Sequence, residues 1–172
     1  MKRPSKGEFA PYYANYIRNV PDDAIKAFGD QLDTTNAFFK SIPKDKIDYK
    51  YADGKWSIKE IVGHLIDNER VMSYRALAIS KNEKQSLPGF DQDDYIRKSN
   101  YSKRNYSELV EELKKIREAN ILMFKDFSEE ILDRRGVANN SEVTVRAILF
   151  IIAGHELHHI NVIKEKYLKK SN

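Results

Sequence analysis

The sequence predicts an all-α protein, a four-helix bundle with a long connection between its second and third helices. Three observations lead there. Only 7 glycines and 5 prolines interrupt 172 residues, and long stretches place apolar residues at helical spacing. No stretch alternates as a half-buried strand does. Four amphipathic helices with at least one long connection form the pattern of such a bundle. At this length a single domain over residues 1–172 is expected.

The first helix is expected from about Asp22 to Ser41, with Pro21 just before it and Ile25, Phe28, Leu32 and Phe39 along its inward stripe. The second has the clearest start, in "KWSIKEIVGHLIDNERV". Ser57 can cap the helix while Glu60 reaches back to its backbone N–H, and Trp56 and Ile61 are placed to form a hydrophobic staple. It should continue to about Ser80. The connection "KNEKQSLPGFDQDDYIRKSNYSKRN" follows, with a Pro-Gly turn signal and acids at 91, 93 and 94. At that length it is a functional or a flexible loop. A third helix, "YSELVEELKKIREANILMFKDF", carries Leu109, Leu113, Ile116, Met123 and Phe127. Turn-rich "RRGVANNSEV" separates it from the last helix, about Thr144 to Leu168.

Composition narrows the function classes. Charged residues make up 33% and the AVILMFWYC set 41%, too apolar for a disordered chain. The net charge of +4 is mild and its lysines are spread among acids, so no nucleic-acid partner is expected. The chain has no cysteine, which excludes disulfides, thiolate ligands and a cysteine nucleophile and suits a cytoplasmic location. "MKRPSKGEFAPYY" lacks the apolar run of a signal peptide. The longest apolar stretch, "AILFIIAG", is too short to span a bilayer. A soluble cytoplasmic protein is expected.

Three of the four histidines fall in "GHELHHINVI", residues 154–163. With about 100° of advance per residue from Ile148, His155 and His159 lie about 20° to either side of the inward direction. His158 and Glu156 lie about 80° off, on opposite sides. Burying two imidazoles in the middle of an apolar stripe is costly unless they find partners. A divalent metal serves both, because rings spaced i, i+4 can point at one ion; hydrogen-bonded core histidines are the alternative. His64 is the remaining histidine and would supply a third ligand. It sits on the flank of its helix, on a face shared with Ser57, Asn68, Val71 and Arg75, and position alone leaves its role open. Glu69 falls in the apolar sector of the same helix. It could support a ligating histidine, act as a fourth ligand, or pair with Arg70, Arg75 or Arg146.

The segment also spells H-E-x-x-H. In zinc proteases that motif needs a third ligand downstream. Only 13 residues follow His159, and Glu165, the sole acid among them, lies on the same helix. The sequence argues against a protease.

"WSIKEIVGHLIDNERV" followed late by "AGHELHHINVIKEKYL" resembles the DinB/YfiT-like family, over about Pro21 to Leu168, and "LPGFDQDDY" is similar to one of its branches. The resemblance implies a four-helix bundle with a three-histidine divalent metal site, one ligand from the second helix and two from the last. By position these are His64, His155 and His159, with Asn68, Glu69 and His158 as candidates for the surrounding shell. Zinc or nickel is the expected metal. Relatives transfer low-molecular-weight thiols to electrophiles, isomerise maleylpyruvate with thiol help, or are described as metal-dependent hydrolases. The implied function is therefore activation of a thiol or of water at an open metal position toward a small-molecule substrate. A non-catalytic metal- or ligand-binding bundle is the alternative.

Leu149, Phe150, Leu157 and Ile160 point away from the histidine stripe. A helix apolar nearly all round is buried on both sides, either by the first helix and terminal segments or by a second subunit. A homodimer is the expectation taken forward.

Overall fold

Each long helix begins where a short polar side chain replaces a missing backbone partner. Asp23 accepts from the amides of Ile25 and Lys26 and starts α2, Ala24–Lys40. Ser57 accepts from Glu60 N while the Glu60 carboxylate accepts from Ser57 N at 2.7 Å, the capping box that opens α3, Ile58–Ser80. Asn105 caps α5, Tyr106–Phe124, and Thr144 caps α7, Val145–Val162. The computed structural model describes residues 1–169. Shorter elements fill the rest: α1, Ala14–Arg18; α4, Gln92–Lys98; α6, Glu129–Leu132; and a π-helical turn, Ile163–Tyr167, that extends α7.

These four long helices form the predicted four-helix bundle. Both α2 and α3 pack against α5 and α7, so α2 stands diagonally across the bundle from α3, and α5 from α7.

One local expectation is corrected and one pair of alternatives is narrowed. "RRGVANNSEV" is a β-hairpin, with β1 at Arg135–Ala138 antiparallel to β2 at Ser141–Thr144 and Arg135 opposite Thr144. Asn139 and Asn140 carry it through positive φ, 50° and 59°, the two-residue geometry that asparagine tolerates and that matches strand twist. The long 81–105 connection is also ordered. It contains α4, and Leu87 is stitched to the hairpin edge by Leu87 N to Val137 O at 2.8 Å and Asn139 N to Leu87 O at 3.0 Å.

The core is two apolar clusters rather than one. Phe28, Met72, Phe124 and Ile148 belong to the first, and Phe39, Ile66, Leu113 and Ile160 to the second. Every long helix crosses from one to the other through buried polar residues: Gln31 and Thr35 on α2, Glu69 on α3, Arg117 and Asn120 on α5, Glu156 on α7. The inward stripe of α2 therefore runs through Gln31 and Thr35 instead of Leu32, which is only half-buried.

The apolar far side of α7 is covered by its own chain. Leu149, Phe150 and Ile160 are buried and Leu157 is half-buried, α1 packs along α7, and the Arg3 guanidinium lies 5.5 Å over the Phe150 ring. The observation that raised a second subunit is thus met within one polypeptide.

The amino-terminal segment is held by Glu8, which accepts from Ser5 N and Oγ and from Thr144 Oγ1 while its carbonyl accepts from Thr144 N. Burial works against the charged carboxylate, but these bonds and Arg146 outweigh it and hold Glu8 below its ordinary 4.5. Burial is likewise outweighed at Glu60, by Ser57 and Lys50, and at Glu112, by Arg104 and Arg70. A depressed folded-state pKa adds stability above the unfolded value and loses it as pH falls through the folded one. Unfolding free energy from urea titrations is therefore expected to drop as pH falls below 4.5, and Glu8→Gln should flatten that drop.

Candidate metal centre

Helix geometry brings His155 and His159 of α7 one turn apart toward α3, which presents His64. His155 Nε2 lies 3.0 Å from His64 Nε2 and 3.2 Å from His159 Nε2. Ligand atoms from all three lie within 4.8 Å of one another. One ring nitrogen offers either a proton or a lone pair, so His155 Nε2 cannot make a well-aligned hydrogen bond to both neighbours. A shared cation fits the spacing better. Two nitrogens bound at about 2.0–2.1 Å to one tetrahedral Zn²⁺ stand about 3.3 Å apart.

Electrostatics favour the ligating form. His64 is 2% and His155 6% exposed. Burial pulls the His64 pKa down to about 4. It lowers His155 and His159 well below 6.5, helped at His155 by the neighbouring rings of His159 and His64 and at His159 by His64. All three are neutral at pH 7, and neutral imidazole is what a metal binds.

Aromatic rings wall the cluster. Trp56, whose expected role was a staple on Ile61, stands 4.8 Å from the His64 ring and stacks at 22° with His159. Tyr16 meets His155 edge-on at 5.5 Å and lies 5.2 Å from His158. His158 itself is exposed.

Tyr16 can come this close because residue 154 is glycine. A Cβ there would collide with the Tyr16 carbonyl, a backbone atom that cannot swing away. Gly154→Ala is expected to cost about 1–3 kcal/mol, as overpacking does, and to displace Tyr16 from His155. Urea denaturation reads the first effect, and the emission of Tyr16 against a Tyr16→Phe control reads the second.

The remaining shell candidates separate. Asn68 is buried and lines a cavity with His155. Glu69 turns away: its carboxylate takes both Arg117 Nε and Nη2 at 2.8 Å and Asn120 Nδ2 at 3.0 Å. Its expected partners lie elsewhere, Arg70 with Glu112 and Arg146 with Glu129 and Asp133. Glu156, the glutamate of H-E-x-x-H, joins the same cluster, accepting from Arg117 Nη2 at 3.0 Å and Thr35 Oγ1 at 2.6 Å. It therefore cannot serve as a base beside the histidines, which closes the protease reading geometrically. Burial raises the Glu156 pKa, against the pull of Arg117. Burial also opposes the Arg117 charge, but Glu156 and Glu69 outweigh it.

Arg117 is the functional surprise in the packing. It reaches Gln31, Glu69 and Glu156, so one guanidinium ties α2, α3 and α7 to its own helix directly behind the histidines. Its helix reads as amphipathic without it. The signal available was an arginine three residues from Asn120 and four from Leu113, on the apolar face.

Two cavities reach the cluster. One of about 270 Å³ touches His155, with Tyr13, Tyr16, Asn68, Arg75 and Phe90 on its walls. Another of about 380 Å³ touches His158 and His159 beside Trp56 and Tyr167. Gln92, from the ordered connection, borders both.

Comparison with known proteins places this architecture. The sequence pattern of the DinB superfamily matches residues 27–163. A protein of Oceanobacillus iheyensis described as "Putative metal-dependent hydrolase OB0413" is 26% identical over 125 residues, 72% of this chain and 72% of its own. YfiT from Bacillus subtilis, described as "a probable metal-dependent hydrolase with an unusual four-helix bundle topology", superposes with a TM-score of 0.70 at 15% identity, over 95% of this chain and 91% of its own. A DinB-like protein of Bacillus subtilis, YjoA, gives 0.58 at 22% identity, over 86% and 93%. The diagonal four-helix arrangement and the family match over most of the sequence agree: this chain belongs to the DinB superfamily.

Proposed function

We propose that this protein is a metal-dependent enzyme that holds one divalent cation on His64, His155 and His159 and activates water or a low-molecular-weight thiol against a small-molecule substrate. The observation that carries the reading is the convergence of the three histidines, with Nε2 spacings of 3.0 and 3.2 Å at His155. Three neutral ligands leave such a cation its full charge and an open position. When bound there, it would lower the pKa of water or a thiol toward neutrality.

The chain's own residues do the rest. Trp56 and Tyr16 hold the rings in place and narrow access to them. The cavities on either side admit a small substrate, which favours turnover over simple metal storage. Hydrolysis has the support of the relatives' descriptions, and thiol transfer that of the resemblance in sequence. Zinc suits the nitrogen spacing, and nickel accepts the same imidazole donors. No helix among the described residues is long and apolar enough to cross a membrane.

The test is elemental analysis of purified protein, followed by assay of the metal-loaded form against esters, amides and thiol–electrophile pairs. One bound ion per chain with turnover is the expected result. One ion without turnover across the panel would favour a binding protein, and no ion at neutral pH would end the reading.

A further inference from the structure

Three arginines are deeply buried, and two have obvious reasons to be. Arg117 sits between Glu69 and Glu156, and Arg146 between Glu129 and Asp133. Arg75 is 3% exposed and has no carboxylate within ion-pair distance among the described residues. Its Nη2 donates to Pro88 O at 2.5 Å and its Nη1 to Met72 Sδ at 3.3 Å, and the Tyr13 hydroxyl is close enough to interact with it. A carbonyl, a thioether and a neutral phenol do not neutralise the charge, and a guanidinium has five N–H donors to satisfy. Burying such a charge without a counter-charge is strongly unfavourable, so the position calls for an anion.

The place for one is beside it. Arg75 lines the cavity of about 270 Å³ that also touches His155, Asn68, Tyr13, Tyr16 and Phe90. Arg75 lies on α3 eleven residues, about three turns, beyond His64, so its guanidinium and the histidine cluster stand along one side of that helix. Pro88, two residues before the wall residue Phe90, holds the guanidinium through its carbonyl. Tyr12, Tyr13, Tyr16 and Phe90 make one part of the wall and polar side chains, Asn68, Gln92 and Asn139 among them, the rest; planar groups pack well against such rings.

We propose that Arg75 anchors the substrate: it receives a carboxylate of a small molecule whose planar body lies among Tyr13, Tyr16 and Phe90, with the reacting group directed toward His155. Only the last clause rests on the metal reading; the anion subsite stands on Arg75 and the cavity alone. A planar carboxylate accepts two parallel N–H bonds from a guanidinium, which gives orientation as well as affinity. Arg75 is then a specificity residue that separates anionic from neutral substrates of equal shape.

The test uses the full chain, stripped of metal with a chelator and dialysed, in calorimetric titrations with benzoate and its neutral isostere benzamide. Benzoate is expected to bind at millimolar concentration and benzamide at least tenfold more weakly. Arg75→Gln should remove that difference and Arg75→Lys should keep part of it, with circular dichroism checking that each variant is folded. If Arg75→Gln does not fold, the native protein decides alone: equal affinity for both probes, or no benzoate binding, overturns the proposal. Zinc uptake by the same preparation is measured separately. Selective benzoate binding without zinc uptake would sink the metal centre and leave the anion subsite standing; zinc uptake with equal binding of the two probes would do the reverse.

Discussion

Arg117→Ala is expected to lower the stability of the fold by about 3–5 kcal/mol, the range for removing one partner of a buried ion pair. Arg117 is 3% exposed and holds Glu69 and Glu156, each also buried. Without it, two carboxylates are stranded in a layer that separates two apolar clusters. Desolvation would then favour their neutral forms. The deficit relative to the native protein should therefore shrink as pH is lowered from 7 toward the ordinary carboxyl value of 4.5, because protonated groups need no counter-charge. Replacing all three together, as Arg117→Met with Glu69→Leu and Glu156→Leu, should recover most of the loss, since apolar residues of similar volume often match a buried ionic cluster. Urea denaturation of the single and triple variants at two pH values measures all of this. A single variant as stable as the native protein, or a deficit independent of pH, would contradict the account.

The second large effect concerns the metal. His155→Ala should reduce metal content from one equivalent to background, a loss well beyond the roughly 10–100-fold that removing an outer partner costs. His155 is the middle of the three, in contact with both other rings, so its removal leaves His64 and His159 without the nitrogen that bridges them. His158→Ala is the control. That ring is exposed and is not among the three grouped side chains, so metal content should stay near one. Equal uptake by His155→Ala and the native protein would mean that the ion sits elsewhere. The two experiments are independent in their readouts, one a free energy and the other a stoichiometry, although Glu156, a partner of Arg117, adjoins His155 on α7.

Most of the helical frame was legible because its signals are local. The Ser57–Glu60 capping box is a matter of three residues, and apolar spacing along α7 places His155 and His159 on one face through the geometry of the helix alone. The hairpin at Arg135–Thr144 was hidden by its brevity and its turn: four residues per strand carry too little alternation to see, and Asn139-Asn140 tolerates the positive φ of such a turn without being the Asn-Gly pair that signals it. Order in the 81–105 connection was hidden for a different reason. Its anchors, Val137 for Leu87 and Arg75 for Pro88, are distant in sequence or on another element.

Spacing within α3 left His64 undecided, since a residue on a helix flank faces the interior only if the neighbouring helix lies on that side. Glu69 and Glu156 show the same dependence. Their helical angles were read correctly, but an angle does not name a partner, and the partner of both is Arg117 from α5. That α1 packs along α7 was not legible in the sequence, because five helical residues are too few to announce themselves.

By itself, then, the sequence determined the helices, the caps and the pairing of two histidines one turn apart, all consequences of interactions within a few residues. Only the tertiary structure shows what closes around them: the ring of His64, which the resemblance had named and helix spacing had left open, the charge cluster that joins four helices, and an arginine in the neighbouring cavity with no carboxylate partner among the described residues. Those depend on which faces meet when α2 stands opposite α3 and α5 opposite α7, and no period along one helix carries that information.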